Sequence, residues 1–326
     1  MIYLNFAQII DSLILFKMKN LQNKKAFSLI ELSIVLLIIG IIIAGITQSS
    51  RLIRQFKLSA ARSQTQSGPV TSVKDLAAWF DTTSTNSFIN AEAEDSALTG
   101  GSGISYWYDL NPASSIKRDA FNIGIAATYP YYYASCINGL PCLRFDGIND
   151  SFDFDGTSLV GTDYTIFVVE QRRAVVANYF LGKSSTPTLN AALEFGYSAT
   201  STVRFAQGSS ANLYTVGSSP LIAAYSQPAP RLHCFVNATI AAGAASFTHY
   251  LNGSSTASTL TSVGTPALST LTAYANATLG SSHSGAAQTY FNGDLGELIF
   301  YTRALKAEER VAVEDYLLKK WAITGL

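Results

Sequence analysis

Charge is scarce in this 326-residue chain: Asp, Glu, Lys and Arg make up 13% of it and balance to a formal net charge of zero. An ordinary soluble domain carries roughly 25% charged residues. With no net positive charge, and no basic stripe interleaved with aromatics in its C-terminal part, the chain lacks the electrostatic footprint of a nucleic-acid binder. Nucleic acid is not expected as a partner. Histidine and cysteine are few as well. His233, His249 and His283 are scattered, and Cys136, Cys142 and Cys234 form no CxxC pair, so the spacing of a zinc site is missing. An alternating Glu-x-Asp-x-Glu strand is also absent. Retaining glycoside hydrolysis needs two carboxylates about 5 Å apart, and such a strand would set them on one face. The nearest group, Glu92, Glu94 and Asp95, lies between Asn90 and a Gly/Ser stretch and reads as loop charge. No catalytic residues are assigned, and the chain is not expected to be an enzyme.

What the chain has instead is one long apolar run and a large Ser-, Thr-, Ala- and Gly-rich remainder with 17 Tyr and 18 Phe. The run FSLIELSIVLLIIGIIIAGI fills positions 27–46 and holds a single charge, Glu31. At the rise of an α-helix it is about 30 Å long, the thickness of a bilayer's hydrocarbon core, so a transmembrane helix is expected. Lys17, Lys19, Lys24 and Lys25 precede it, and Arg51, Arg54, Lys57 and Arg62 follow. That tie leaves its orientation open by the positive-inside rule. Ser28, Ser33, Gly40, Ala44 and Gly45 would admit a neighbouring helix, although small residues are also common in plain spans. Glu31 is the anomaly, because an ionised carboxylate at that depth costs several kcal/mol unless it is paired. Either it snorkels to the surface, or it meets a cation such as a freed backbone amine on Phe27. Beyond the run Leu52, Phe56 and Ala60 recur every four residues with Ile53 beside them, while Leu58 falls off the stripe. An amphipathic stem is expected to about Ser67, stopped by Gly68-Pro69. Its stripe would contact either the protein's own head or neighbouring subunits.

Lys24-Lys25-Ala26-Phe27-Ser28-Leu29-Ile30-Glu31-Leu32, followed by the apolar run, resembles the prepilin signal of type IV pilins and type II secretion pseudopilins. The resemblance implies cleavage by prepilin peptidase between Ala26 and Phe27, methylation of the Phe27 amine, and an assembly role for Glu31, the family's fifth-position glutamate. Family members usually have Gly where Ala26 stands. The resemblance also implies a single pass through the bacterial inner membrane, with the leader cytoplasmic and the C-terminal head in the periplasm or on an extracellular pilus. Other pilin or pseudopilin subunits are the implied partners. The apolar residues before Met18 suit such a leader poorly. A start at Met18 would give the compact basic leader MKNLQNKKA, and a genuine extended leader is the rival reading. In an exported head Cys136 and Cys142, with the Asn138-Gly139 turn between them, are expected to form a disulfide, the alternative being two free thiols. Cys234, in the alternating run Leu232-His233-Cys234-Phe235-Val236, is expected to be a buried small hydrophobe.

Short alternating or apolar runs dominate the rest, with strands expected at 76–80, 104–108, 142–145, 151–154, 164–170, 178–182, 192–197, 202–206, 231–238, 246–251 and 288–301. Their regular turn signals argue for an all-β sandwich. A helix is expected over 307–321, where Val313, Leu317 and Trp321 are spaced by four. Lys306 stands at its N-cap, where Ser or Thr would be preferred. Leu76-Ala77-Ala78-Trp79-Phe80-Asp81 with Tyr106-Trp107-Tyr108-Asp109, the run from Leu143 through Asp146-Gly147 to Phe154, and the run from Asn292 to Leu305 resemble segments of the laminin G-like or concanavalin A-like jelly roll. The implied fold is mainly β: a long N-terminal transmembrane helix, then a jelly-roll β-sandwich with a C-terminal helix. The domains are a leader at 1–26, the transmembrane helix and stem at 27–67, and the head at 70–326.

This second resemblance implies binding of glycans or surface proteins, sometimes through Ca²⁺; no other cofactor is expected. Asp146, Asn149 and Asp150, with Asp153 and Asp155 nearby, are the calcium candidates. The plainer reading is Asp-Gly turns whose side chains serve local N–H groups. Tyr129, Tyr131, Tyr132 and Tyr133 around Pro130 are candidates for stacking on sugars, since a strand cannot turn them all toward one core. A loop over a sheet end would account for them equally, and Pro130 favours it. The expected function is a minor pilin or pseudopilin subunit displaying a ligand-binding head. The alternative is a lectin-like adhesion module that uses the pilin segment only as an export anchor.

Overall fold

The computed structural model describes residues 28–88, 102–159, 162–183, 192–197, 203–208, 213–216, 229–239, 245–258, 260–262, 277–284 and 287–325. The leader with Ala26 and Phe27, and the acidic group Glu92, Glu94 and Asp95, lie outside those residues. The chain divides into two compact units, Met1–Ile53 and Arg54–Leu326.

Helix α1 runs Leu29–Ser67, and Gly68-Pro69 ends it as the sequence dictates. Among the described residues no helix is long and apolar enough to cross a membrane. Side chains of the apolar run are described over 28–45 only, all of them exposed.

The strands begin with β1 Leu76–Asp81, β2 Ser102–Gly103, β3 Tyr106–Trp107, β4 Ala120–Phe121, β5 Tyr131–Ile137, β6 Leu140–Asp146 and β7 Phe152–Phe154. Then come β8 Tyr164–Arg172, β9 Asn178–Lys183, β10 Ala192–Tyr197, β11 Val203–Gly208, β12 Leu213–Val216, β13 Arg231–Thr239 and β14 Ala245–Leu251. Last are β15 Leu260–Ser262, β16 Ala277–Leu279, β17 Ser281–Ser284, β18 Ala287–Tyr290, β19 Asn292–Tyr301 and helix α2 Ala307–Trp321. Among the described residues they form an eight-stranded sheet, β14-β13-β8-β19-β6-β5-β2 with β1 added on β19, and a nine-stranded sheet, β15-β12-β11-β10-β9-β16-β7-β4-β3. The β17–β18 hairpin stands apart from both.

Three layers follow from how β8 buries both its faces. Tyr164, Ile166 and Val168 enter the core between the sheets, with Trp107, Phe152, Phe180 and Phe195. Phe167 and Val169 point the other way, into a second core with Ala61 of α1 and Val313, Leu317 and Trp321 of α2. A strand covered on both sides reads as a continuous apolar run, which is how 164–170 looks in the sequence. Strand β19 organises the helical side. Residues 292–295 pair with β6 and 297–301 with β1, and the change of partner falls at Gly296. A Cβ on Gly296 would lie 2.6 Å from the Trp321 ring, so only glycine lets the indole lie against this strand.

Two details correct the sequence reading. Pro130 does not hold its tyrosines in a loop: β5 starts at Tyr131, directly after it, where no proline N–H is required. Helix α2 also has a partial cap, because Glu309 accepts the Lys306 N–H at 3.1 Å while Arg303 holds the same carboxylate with two hydrogen bonds of 2.7 Å.

The inter-sheet core turns polar at one place. His233 Nδ1 is 3.0 Å from His249 Nε2, whose Nδ1 is 2.9 Å from Ser258 Oγ. On the other side His233 Nε2 lies 3.2 Å from Glu170 and 3.1 Å from the Tyr197 hydroxyl, with Arg231 3.8 Å from Glu170. Burial pushes both imidazoles below their ordinary value, His249 well below it. In the unfolded chain they protonate near about pH 6.5, so the unfolded state binds more protons and stability falls as pH drops below that value. His249→Gln should therefore be less stable than wild type at about pH 7.5, with the gap narrowing or reversing near about pH 5; urea midpoints at the two pH values check this.

Candidate functional sites

The first site is the start of α1. Ser28 and Glu31 form a capping box: the Ser28 N–H donates to Glu31 Oε2 at 2.9 Å, and the Ile30 N–H reaches Ser28 Oγ at 3.4 Å. Glu31 therefore has a local partner in the uncut chain. Further along, Ser33 donates to the Leu29 carbonyl at 2.8 Å, so its hydroxyl is satisfied within the helix. Around these groups the surface is apolar on every side, with Leu29 85%, Leu37 64% and Ile41 64% exposed. Gly40 and Gly45 have open space where a Cβ would stand.

The stem meets the head by a face other than the apolar stripe. Ala61 is 2% exposed in the helical-side core. Leu58 three residues before it and Thr65 four after it, on nearly the same face, are half-buried. Lys57 donates to the Asn138 carbonyl and Arg62 to that of Thr83. Phe56, by contrast, is 71% exposed, and Leu52 and Ile53 are exposed with it.

The second site lies on the head. On β3 Trp107 enters the core while Tyr106 turns outward. Tyr106 stacks with Tyr108 at 6.1 Å and 19° and with Phe121 at 6.2 Å and 28°. Three near-parallel rings thus form a ladder at the β3 edge of the nine-stranded sheet. Phe121 is paired across to Asp153 of β7, whose carboxyl is pushed upward by desolvation. Rings of this kind offer apolar faces to the C–H side of a sugar, and the neighbouring carboxyl offers a partner for hydroxyls. Sequence reading passed over this trio because Phe121 sits in a two-residue strand too short for any periodicity to reveal. The tyrosines singled out from the sequence do not gather in this way. Tyr131 is outward, Tyr132 is in the inter-sheet core, Tyr133 lies under the Arg144 guanidinium at 4.1 Å, and Tyr129 donates to the Gly124 carbonyl.

The 146–150 segment is largely self-satisfied. Asp146 Oδ1 accepts the Ile148 and Asn149 N–H groups at 2.7 and 3.2 Å, and Asp150 Oδ2 accepts the Asp146 N–H at 2.9 Å. Asp150 Oδ1 and Asn149 Oδ1 are buried without a donor, and burial lifts the Asp150 carboxyl to about 7. Two free oxygens fit part of a calcium sphere, well short of the six to eight that the ion takes. Asp155 serves Thr157 of its own turn. Cys136 and Cys142 are joined, with Cα atoms 6.0 Å apart, and Cys234 is free and buried. Among the described residues Cys136, Cys142 and Asp294 bring donor atoms together, but the disulfide leaves no thiolate there for a metal.

A profile of the concanavalin A-like lectin/glucanases superfamily matches residues 146–309. One of the prokaryotic N-terminal methylation motif matches residues 21–47. Among curated proteins none matches. Of solved structures, the chain is similar to Trypanosoma rangeli sialidase, with TM-score 0.47 and 14% identity over 78% of this chain and 34% of that one. It is also similar to domain 4 of AbnA, a GH43 extracellular arabinanase from Geobacillus stearothermophilus in complex with arabinotriose, with TM-score 0.36 and 17% identity over 74% of this chain and 98% of that one. The chain spans about a third of the length of the sialidase it matches, and at these TM-scores neither likeness bears on activity.

The stem geometry separates two substitutions. Phe56→Ser should leave the thermal midpoint of the protein unchanged. Ala61→Asp buries an unpaired carboxylate against the head and should destabilise it by on the order of 3 kcal/mol.

Proposed function

Because the chain belongs to the concanavalin A-like lectin/glucanase superfamily and carries a prokaryotic N-terminal methylation motif, we propose that it is a minor pilin or pseudopilin. In this reading prepilin peptidase cuts before Phe27, the 27–46 segment crosses the inner membrane once, and the subunit enters a type IV pilus or type II secretion pseudopilus with its head outward. The observation that carries the reading is the motif running straight into a helix that is apolar all round. Such a surface is not stable in water and needs lipid or sister helices around it. The exposed Phe56, turned away from the face that packs on the head, offers a further apolar contact to neighbours, and Leu52 and Ile53 are exposed as well. The proposal gives the protein no catalytic residues acting on a substrate.

Glu31 supplies the register. Cutting before Phe27 frees an amine one helical turn from the carboxylate. A neighbouring subunit's amine can then replace the Ser28 N–H as partner. A neighbour slipped by one turn would leave both charges unmatched in lipid, at a cost of several kcal/mol. Glu31→Gln preserves shape and capping, so membrane levels and the Phe27 N-terminus found by mass spectrometry should match wild type. Recovery in sheared surface filaments should fall severalfold. Equal recovery would remove Glu31 from docking, and an uncut N-terminus in the wild type would remove the pilin reading altogether.

A second reading, a lectin-like head, is favoured by the ladder of Tyr106, Tyr108 and Phe121. The double variant Tyr106→Ala/Phe121→Ala should retain the fold by circular dichroism and lose retention on immobilised glycans. Calcium enters only at Asp150 and Asn149, where a Ca²⁺-dependent rise in thermal midpoint, absent in Asp150→Asn, would support it.

A further inference from the structure

Three ionisable groups meet in the helical-side core with no exposure to water. Lys320 Nζ, on the last turn of α2, lies 2.7 Å from Asp81 Oδ2 at the end of β1 and 2.7 Å from Glu297 Oε2 on β19, all three side chains being 0% exposed. Asp81 and Glu297 are directly opposed across the β1–β19 pair. The surroundings are aromatic. Trp79 Nε1 and the Tyr316 hydroxyl donate to Glu297 Oε1 at 2.9 Å, and Trp321 Nε1 donates to Oε2 at 2.8 Å. The other oxygen of Asp81, Oδ1, accepts the Thr83 N–H at 2.9 Å and the Thr83 hydroxyl at 2.8 Å.

The geometry points to a covalent amide between Lys320 and Asp81, formed within the chain with Glu297 as proton carrier. An amine held against a carboxyl in a dry pocket has the proximity that makes condensation effectively unimolecular. Burial lifts the Glu297 carboxyl above its ordinary range, which suits it to take up a proton and hand it on.

The step balances without any outside reagent. Glu297 takes one proton from the Lys320 ammonium, and the neutral Nζ attacks Asp81 Cγ, after which the nitrogen releases its second proton by the same route. The developing oxyanion on Oδ1 is met by the Thr83 N–H and hydroxyl, already in place. Glu297 passes both protons to Oδ2, the Cγ–Oδ2 bond breaks, the oxygen leaves as one water, and Glu297 ends in the protonation state in which it began. Ammonium plus carboxylate become amide plus water, and nothing is oxidised or reduced. The product ties β1, the first strand after the stem, to the last turn of the final helix. A pull delivered through α1 could then peel β1 from β19 no further than Asp81.

Intact-mass measurement of the reduced, full-length protein tests the inference. The wild type should weigh one water less than its sequence from whichever N-terminus is found. Peptide mapping should recover one branched peptide joining the Asp81 and Lys320 segments, with trypsin failing to cut after Lys320. Lys320→Arg, which keeps the positive charge but lacks the amine nucleophile, should show the full mass. Glu297→Gln should remain unlinked while retaining the wild-type circular dichroism; if it does not fold, Lys320→Arg carries the comparison. A folded wild type at full mass, cleaved after Lys320, would overturn the proposal and leave an ion network. A missing water mapped to Asp146-Gly147 or Asp155-Gly156 would be a succinimide and would overturn it equally. Linkage in Glu297→Gln as complete as in wild type would overturn the role of Glu297.

Discussion

Asp81 and Glu297 stand side by side across β1 and β19, and like charges in that position push strands apart. Before any amide forms, Lys320 reverses the sign of that contact by placing its ammonium on both. Once it is there, much of the helical side is fixed. Its position sets the rotation of α2, and α2 sets Trp321 over Gly296, where β19 exchanges β6 for β1. The same carboxylates reach the stem, since the Thr65 hydroxyl donates to Asp81 at 3.2 Å. Desolvating such a group costs several kcal/mol per ion, and removing one member would strand the others at about 3–5 kcal/mol. Its contribution therefore lies in specificity more than in net stability: slip β1 by one residue and Asp81 turns into the phenylalanine core between the sheets.

That arrangement decides which surfaces stay open. The last turns of α1 bury a narrow face centred on Ala61, so the head accepts them without using Phe56. The nine-stranded sheet, far from the helices in the layer order, keeps its β3 edge and the outward rings on it. A head that packs on Ala61 and bonds to Lys57 and Arg62 leaves Phe56 exposed, which suits the pilin reading proposed above.

Much of this was legible in the sequence, and the gaps have physical reasons. Strand 164–170 announced itself because a strand buried on both faces leaves a nearly unbroken apolar run, and 231–238 by its alternation. Helix α2 followed from Val313, Leu317 and Trp321. Glu31 stood out as a charge in an apolar run, yet its partner was missed, although Ser28-Leu29-Ile30-Glu31 is a readable capping box. The spacing of Leu52, Phe56 and Ala60 marked a real stripe but could not say what lies opposite, and Leu58, off the stripe, proved to be on the face turned to the head. The cluster of Asp81, Glu297 and Lys320 was beyond reach, because Asp81 and Lys320 are 239 residues apart and neither carries a local pattern.

The scarcity of charge acquires a different meaning once burial is known. Glu170, Arg172, Arg231, Asp294, Glu297, Arg310, Glu314 and Lys320 are all buried, which is unusual for residue types that normally stay in water. They sit on both faces of the eight-stranded sheet: Glu170 and Arg231 with the histidines between the sheets, Glu297 and Lys320 beneath the helices. Apolar alternation alone specifies such strands poorly, because neighbouring rows of Phe, Val and Ile offer near-equivalent packing when shifted by two residues. A paired charge has no equivalent two residues along, and any shift strands it in a dry core. In a chain whose strands are otherwise interchangeable, burying its few charges as matched sets is what makes one register distinct from the rest.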